Sequence, residues 1–182
     1  MLELTLNTTT ALSRANGRSA AAVDLEIYDT KEDFFEYCKE LHSDEDDAEF
    51  MRVAFHFQDY ENIPEKLISE CSINDKLFDY IKAIEDMEDE TIEALGYFLD
   101  DVNLDNFSDF DDLMEQFQEE YEGYFDGSQG AEVEFTNRFI EENGTLDSIP
   151  ESLQYYFDYE KYANDLFIND YIERNGHVFR RV

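Results

Sequence analysis

Residues 144–166 read Gly144-Thr-Leu-Asp-Ser-Ile149-Pro150-Glu151-Ser-Leu153-Gln-Tyr-Tyr156-Phe157-Asp158-Tyr159-Glu160-Lys-Tyr162-Ala163-Asn-Asp165-Leu166. The stretch reads as two short helices, Pro150–Phe157 and Tyr159–Leu166, with aromatic residues at helical spacing. Downstream, Tyr171–Arg174 and His177–Val182 flank Asn175-Gly176, the turn pair that two-residue hairpins demand. Upstream, Ala131–Glu142 predicts a helix with Phe135, Phe139 and Ile140 inward, ending at Asn143-Gly144. Gly127–Gly130 predicts a loop, and Glu120–Asp126 a short strand. Strand, helices and hairpin make a C-terminal α+β unit over 119–182.

The N-terminal third has a similar plan. Leu2–Leu6 alternates like a strand, Ala15-Asn16-Gly17-Arg18 is a turn, and Ala20–Tyr28 is a second strand. Thr30 with Asp33 forms a capping-box variant that opens a helix over Lys31–His42, with Phe34, Cys38 and Leu41 on one face. Ser43–Glu49 is an acidic loop, and Phe50–Phe57 a third strand. This α+β unit spans 1–61. The middle, 62–118, reads as helical: Pro64–Glu70, a helix capped by Asn74 and running to about Met87, Thr91–Leu99, and Asp109–Gln118 capped by Ser108 with Asp111. The expected fold is therefore α+β, an elongated chain of three small domains with short antiparallel sheets.

Charge narrows the function. The 182 residues carry 47 carboxylates against 13 Lys and Arg, a net charge of −34, yet 42% of them are apolar and 15% aromatic. That composition supports a folded core rather than disorder. It argues against binding nucleic acid or an anionic membrane surface. Residues 83–137 hold 19 carboxylates and no Lys or Arg, a net −19, against −11 for 1–82 and −4 for 138–182. Solubility needs far less charge than this, and self-repulsion disfavours the compact state. The carboxylates that stand out are Glu85, Asp86, Glu88, Asp89, Glu90, Glu93, Asp100, Asp101, Asp105, Asp109, Asp111, Asp112, Glu115, Glu119, Glu120 and Glu122. Carboxylates on helices of a rigid scaffold can imitate phosphates. At one charge per ~1.7 Å of duplex, 34 charges correspond to roughly 58 Å, about 17 base pairs.

Catalytic signals are weak. His42, His56 and His177 are scattered, and no nucleophile elbow, phosphate loop or zinc spacing is present. We expect no enzyme activity, no metal and no cofactor. Asp101-x-Asn103-x-Asp105 begins like a calcium loop but has Asn106 where the loop needs Gly and Asp112 where it needs a bidentate Glu. The N-terminus lacks the pattern of a signal peptide, and two cysteines suit a reducing compartment, so a cytoplasmic chain is expected.

The opening stretch resembles the antirestriction motif of the ArdA family. The Val/Ile-Pro-Glu-x-Leu core falls on Ile149, Pro150, Glu151 and Leu153. The aromatic-acidic segment falls on Tyr156, Phe157, Asp158, Tyr159 and Glu160, and the closing segment on Tyr162, Ala163, Asp165 and Leu166. Phe57-Gln-Asp-Tyr-Glu-Asn-Ile-Pro64 is similar to the segment that closes the family's first domain. The resemblance implies an antirestriction protein of a phage or mobile element. It would be a three-domain homodimer that mimics bent B-form DNA and occupies the DNA-binding groove of type I restriction–modification enzymes in the bacterial host. One departure is Ala20-Ala21-Ala22-Val23 and the absence of Trp, where family members place aromatics.

Two readings of the charge stay open: mimicry of DNA, or an acidic interaction protein for another basic partner, such as a nucleoid protein or another phage-defence complex. Pro150, Leu153, Tyr156 and Phe157 read as core or dimer contacts before direct contacts with a target. Leu153, Tyr155, Tyr156, Phe157, Tyr159 and Tyr162 offer more apolar surface than so short a segment buries alone, which favours a symmetric homodimer.

Overall fold

The computed structural model describes residues 3–8, 21–41 and 55–181. The turn expected at 15–18, the loop at 43–49 and the start of the third strand lie outside them. The fold is α+β, and its contacts divide the chain into two units. The first takes in Met1–Ile92 and Phe98–Phe110, the second Glu93–Tyr97 and Asp111–Val182.

In the first unit, β1 (Glu3–Thr8) lies between β2 (Ala21–Asp24) and β3 (Phe55–Gln58), antiparallel to both. Register is Leu4 to Val23 on one side and Leu6 to Phe57 on the other. The second strand is shorter than its apolar run predicts. The Asp24 carboxylate accepts the Glu26 N–H at 3.0 Å, and the chain turns into a short 3-10 helix, Leu25–Ile27. A short polar side chain offering the backbone a local partner competes with the sheet ladder. Helix α1 (Lys31–Leu41) starts where expected. The Thr30 hydroxyl accepts the Asp33 N–H at 3.1 Å and donates to the Asp33 carboxylate at 2.7 Å. Phe34 is fully buried and meets Tyr28, Phe57 and Phe78 at ring separations of 5.4, 6.2 and 5.8 Å.

The helix expected over Pro64–Glu70 is not there. One turn forms, with the Leu67 N–H donating to the Pro64 carbonyl at 2.9 Å. The chain then pairs β4 (Ile68–Ser69) with β5 (Ser72–Ile73), which buries Ile68 opposite Ile73. The Phe57 N–H donates to the Glu70 carbonyl at 2.9 Å. Cross-strand burial and this long-range bond outweigh the local preference set by Pro64. Asn74 also departs from its expected role. Its carboxamide oxygen accepts the Lys76 N–H at 2.9 Å, and helix α2 (Leu77–Ile84) begins after Lys76 without a side-chain cap. Helix α3 runs Asp89–Asp101. Lys66 donates to the Asp100 and Val102 carbonyls, at 2.6 Å each, where that helix ends.

Besides Glu93–Tyr97, the second unit holds α4 (Phe110–Glu120) from Asp111 onward, with Leu113 and Phe117 buried. It continues into β6 (Tyr121–Tyr124), α5 (Ala131–Glu142), α6 (Glu151–Gln154), α7 (Tyr159–Asn169), β7 (Tyr171–Arg174) and β8 (His177–Arg180). The sheet order is β6-β8-β7, antiparallel throughout. Asn175 and Gly176, at φ 50° and 89°, form the left-handed turn that the sequence predicts. Gly144, at φ 59°, ends α5 in the conformation a residue without Cβ takes most easily. Phe125, Phe135, Phe167, Tyr171 and Val178 form the core, with Ala131, Phe139 and Leu166 packed against them. Phe135 sits at the centre, 4.6 Å from Tyr171 and 5.5 Å from Phe125 between ring centroids.

Candidate functional site

Helices α3 and α4 carry ten of the 19 carboxylates of the basic-free stretch. Apolar residues at helical spacing point Leu95, Phe98, Leu99, Leu113 and Phe117 inward, so the carboxylates between them face solvent. Of the sixteen carboxylates singled out by sequence, fourteen are exposed: Glu85, Asp86, Glu88, Asp89, Glu90, Glu93, Asp100, Asp101, Asp105, Asp109, Asp111, Asp112, Glu115 and Glu119. Asp111 and Asp112 lie in the first turn of α4, and Asp89 and Glu90 in the first turn of α3, where the helix dipole favours negative charge.

Glu120 and Glu122 are the two half-buried members. Glu120 accepts from the Gln116 amide at 2.5 Å. Glu122 sits at a bulge of β6 against β8. It accepts from Arg180 at 2.7 Å and lies 3.9 Å from Arg138. The Glu122 carboxylate raises the Arg180 pKa above its ordinary value. Arg138 also donates to the Glu122 carbonyl at 2.7 Å and stacks 4.5 Å over the Phe125 ring. These two carboxylates bond mainly within the unit.

Glu93 combines exposure with fixed geometry. Its Oε1 accepts from the Tyr97 hydroxyl at 3.0 Å and from the Asn175 amide at 2.8 Å. Its Oε2 lies 3.9 Å from Nε2 of His177, a residue with no exposed surface. His177 Nδ1 meets the Tyr121 hydroxyl at 3.0 Å, and Tyr97, Tyr121 and Tyr124 pack around the ring. Asn175, then Tyr97, then His177 hold the Glu93 pKa below the usual carboxylate range. The sequence gives no warning of this cluster, because Asn175 is 82 positions from Glu93.

The motif of residues 149–166 divides by face. Ala163 is buried and Leu166 packs on the core. The Asp158 carboxylate accepts the Lys161 N–H at 3.0 Å and caps α7, which extends to Asn169, three residues beyond the expected end. Phe157 is half-buried, its ring 5.0 Å from Tyr159 and 5.5 Å from Tyr162. Pro150, Glu151, Glu160 and Asp165 are exposed, and Ile149, Tyr159 and Tyr162 are half-buried. Leu153 and Tyr156, which read as core or dimer contacts, are 55% and 79% exposed, and Tyr155 is 88% exposed. Gln154 anchors this turn by donating to the Leu146 and Ile149 carbonyls at 3.1 and 3.0 Å. The motif is thus anchored on one side and presents an apolar edge on the other.

Among the described residues, no group of three or more His, Cys, Asp or Glu side chains is placed to hold a metal ion. Among the same residues, no helix is long and apolar enough to cross a membrane. No curated protein matches the chain at a significant level. The family comparison matches residues 13–179, nearly the whole length, to the antirestriction protein (ArdA) family. On that match, which spans both the acidic helices and the motif, the chain belongs to the ArdA family of antirestriction proteins.

Proposed function

We propose that this chain carries out its family's antirestriction role by mimicking B-form DNA and occupying the DNA-binding groove of type I restriction–modification enzymes. The observation that carries the reading is the basic-free stretch, residues 83–137, with 19 carboxylates. Helices α3 and α4 turn their apolar stripes inward and leave nine of those carboxylates exposed. A basic groove takes such a surface without deforming a duplex. No bond is made or broken; inhibition is occupancy. The fourteen exposed carboxylates named above belong to that surface, and the exposed edge at Leu153, Tyr155 and Tyr156 is where two copies meet as a homodimer. The division into three domains, 1–61, 62–118 and 119–182, and action in the cytoplasm of a bacterial host belong to the same proposal.

The test is competition. Purified protein and a DNA duplex are titrated against a type I enzyme complex at several salt concentrations. Mutual exclusion, with affinity falling steeply as salt rises, is the expected result. Inhibition that DNA does not relieve would place the contact outside the groove. Binding to a nucleoid protein instead would favour the broader reading of an acidic interaction protein.

A further inference from the structure

We infer that Glu93 is a binding anion of the acidic surface, held in place by Tyr97 and Asn175 to receive one basic side chain of the partner's groove; the inference rests on the function proposed above. Most surface carboxylates end flexible stems, and each must lose rotamer freedom to meet a cation. Glu93 differs. Tyr97 and Asn175 both donate to Oε1, at 3.0 and 2.8 Å, so that oxygen has a fixed place. The side chain is still 48% exposed.

The second observation is His177. It has no exposed surface, and its Nε2 is a buried polar atom without a hydrogen-bond partner. That atom faces Glu93 Oε2 from 3.9 Å, too far for a hydrogen bond. Nδ1 meets the Tyr121 hydroxyl at 3.0 Å, and the tautomer in which that hydroxyl donates puts the ring proton on Nε2, facing the carboxylate. Oε2 thus lies beyond hydrogen-bond reach of the buried ring, on a side chain that stays exposed. An ordered carboxylate with one occupied and one open oxygen is built to accept a guanidinium or an ammonium. Glu88 and Glu90 show no comparable set of donors, although both are exposed on or beside the same helix.

The roles of Tyr97 and Asn175 are positioning ones, and the proposal makes uncharged residues matter for a charge-driven complex. Binding of the purified protein to a type I enzyme complex is measured for Glu93→Gln, Tyr97→Phe, Asn175→Gly, Glu88→Gln and Glu90→Gln, over a range of salt. Glycine keeps the positive φ that the turn needs at 175. Glu93→Gln is expected to weaken binding about fivefold or more and to flatten the salt slope by about one ion contact. Tyr97→Phe and Asn175→Gly are expected to weaken it about threefold with the salt slope unchanged, and to add nothing once Glu93 is Gln. Glu88→Gln and Glu90→Gln should each weaken it less than about twofold. Glu93→Gln no weaker than Glu88→Gln overturns the inference, as does a further loss from Tyr97→Phe in the Glu93→Gln background. If the unmutated protein binds no such enzyme, the proposed function falls and this inference with it. If it binds and the five variants are alike, only this inference falls.

Discussion

Tyr156→Ser separates folding from assembly. Tyr156 is 79% exposed within the chain, and its one ring neighbour of note is Tyr155, edge-on at 5.5 Å. Removing it should change monomer stability by no more than about 1 kcal/mol, because little packing is lost. At a two-fold interface the same side chain is removed twice. Burying the exposed part of one Tyr contributes about 1–2.5 kcal/mol, so two copies contribute about 2–5 kcal/mol. The dimer dissociation constant should then rise at least about thirtyfold. The assay is sedimentation velocity over about 0.1–50 μM, paired with urea unfolding of both proteins. The expected pair of results is a dimer that turns monomeric with its unfolding free energy, corrected to the monomer, nearly intact. Two results refute the reasoning. One is an unmutated protein that sediments as a monomer throughout the range. The other is a variant that loses about 3 kcal/mol or more of monomer stability, which would make Tyr156 a packing residue.

Replacing Asp109, Asp111, Asp112, Glu115 and Glu119 together by Asn or Gln should weaken inhibition clearly while circular dichroism shows the fold retained, since all five are exposed; each single change should cost little. Phe135→Ala opens a cavity among Phe125, Phe139, Phe167 and Tyr171 and should cost about 3–5 kcal/mol by urea unfolding. Burial pushes the Cys38 thiol up to about 12, while Cys71 is exposed. A thiol reagent at neutral pH should therefore label Cys71 in the native protein and Cys38 only in denaturant, because the reactive thiolate of Cys38 is absent below its raised pKa. The Glu93 pKa is depressed, so the stability it adds is present at neutral pH and is lost as pH falls through its folded value. An unfolding series from pH 7 to about pH 3 should therefore show a smaller acid-linked loss for Glu93→Gln than for the unmutated protein.

The parts of the fold legible in sequence are those governed by short-range chemistry. Thr30 with Asp33, Asn143-Gly144 and Asn175-Gly176 each fix backbone angles within a few residues, and all three appear as read. The helix Ala131–Glu142 has the predicted bounds, because its apolar period and its flanking glycines agree. Pro64–Glu70 fails because a partner strand and a bond from Phe57 decide it, and neither lies in the window. Ala20–Tyr28 is cut at Asp24, whose carboxylate takes the Glu26 N–H and turns the chain out of the strand. In the candidate site, exposure of the acidic residues followed from the helical period. The separate behaviour of Glu93 and Glu122 did not, because Asn175, His177 and Arg180 approach them from the far end of the second unit.

Lys31 and Lys66 donate to main-chain carbonyls of Ile73, Asp100 and Val102. This placement governs how the protein can be handled. Amine-reactive dyes, biotin esters and lysine cross-linkers would attack groups that hold loops and a helix end together, and carbodiimide coupling would consume the carboxylates. The exposed thiol of Cys71 is left as the neutral attachment point for a fluorophore or a sensor surface. A maleimide conjugate at that position keeps both the acidic helices and the lysine contacts chemically untouched.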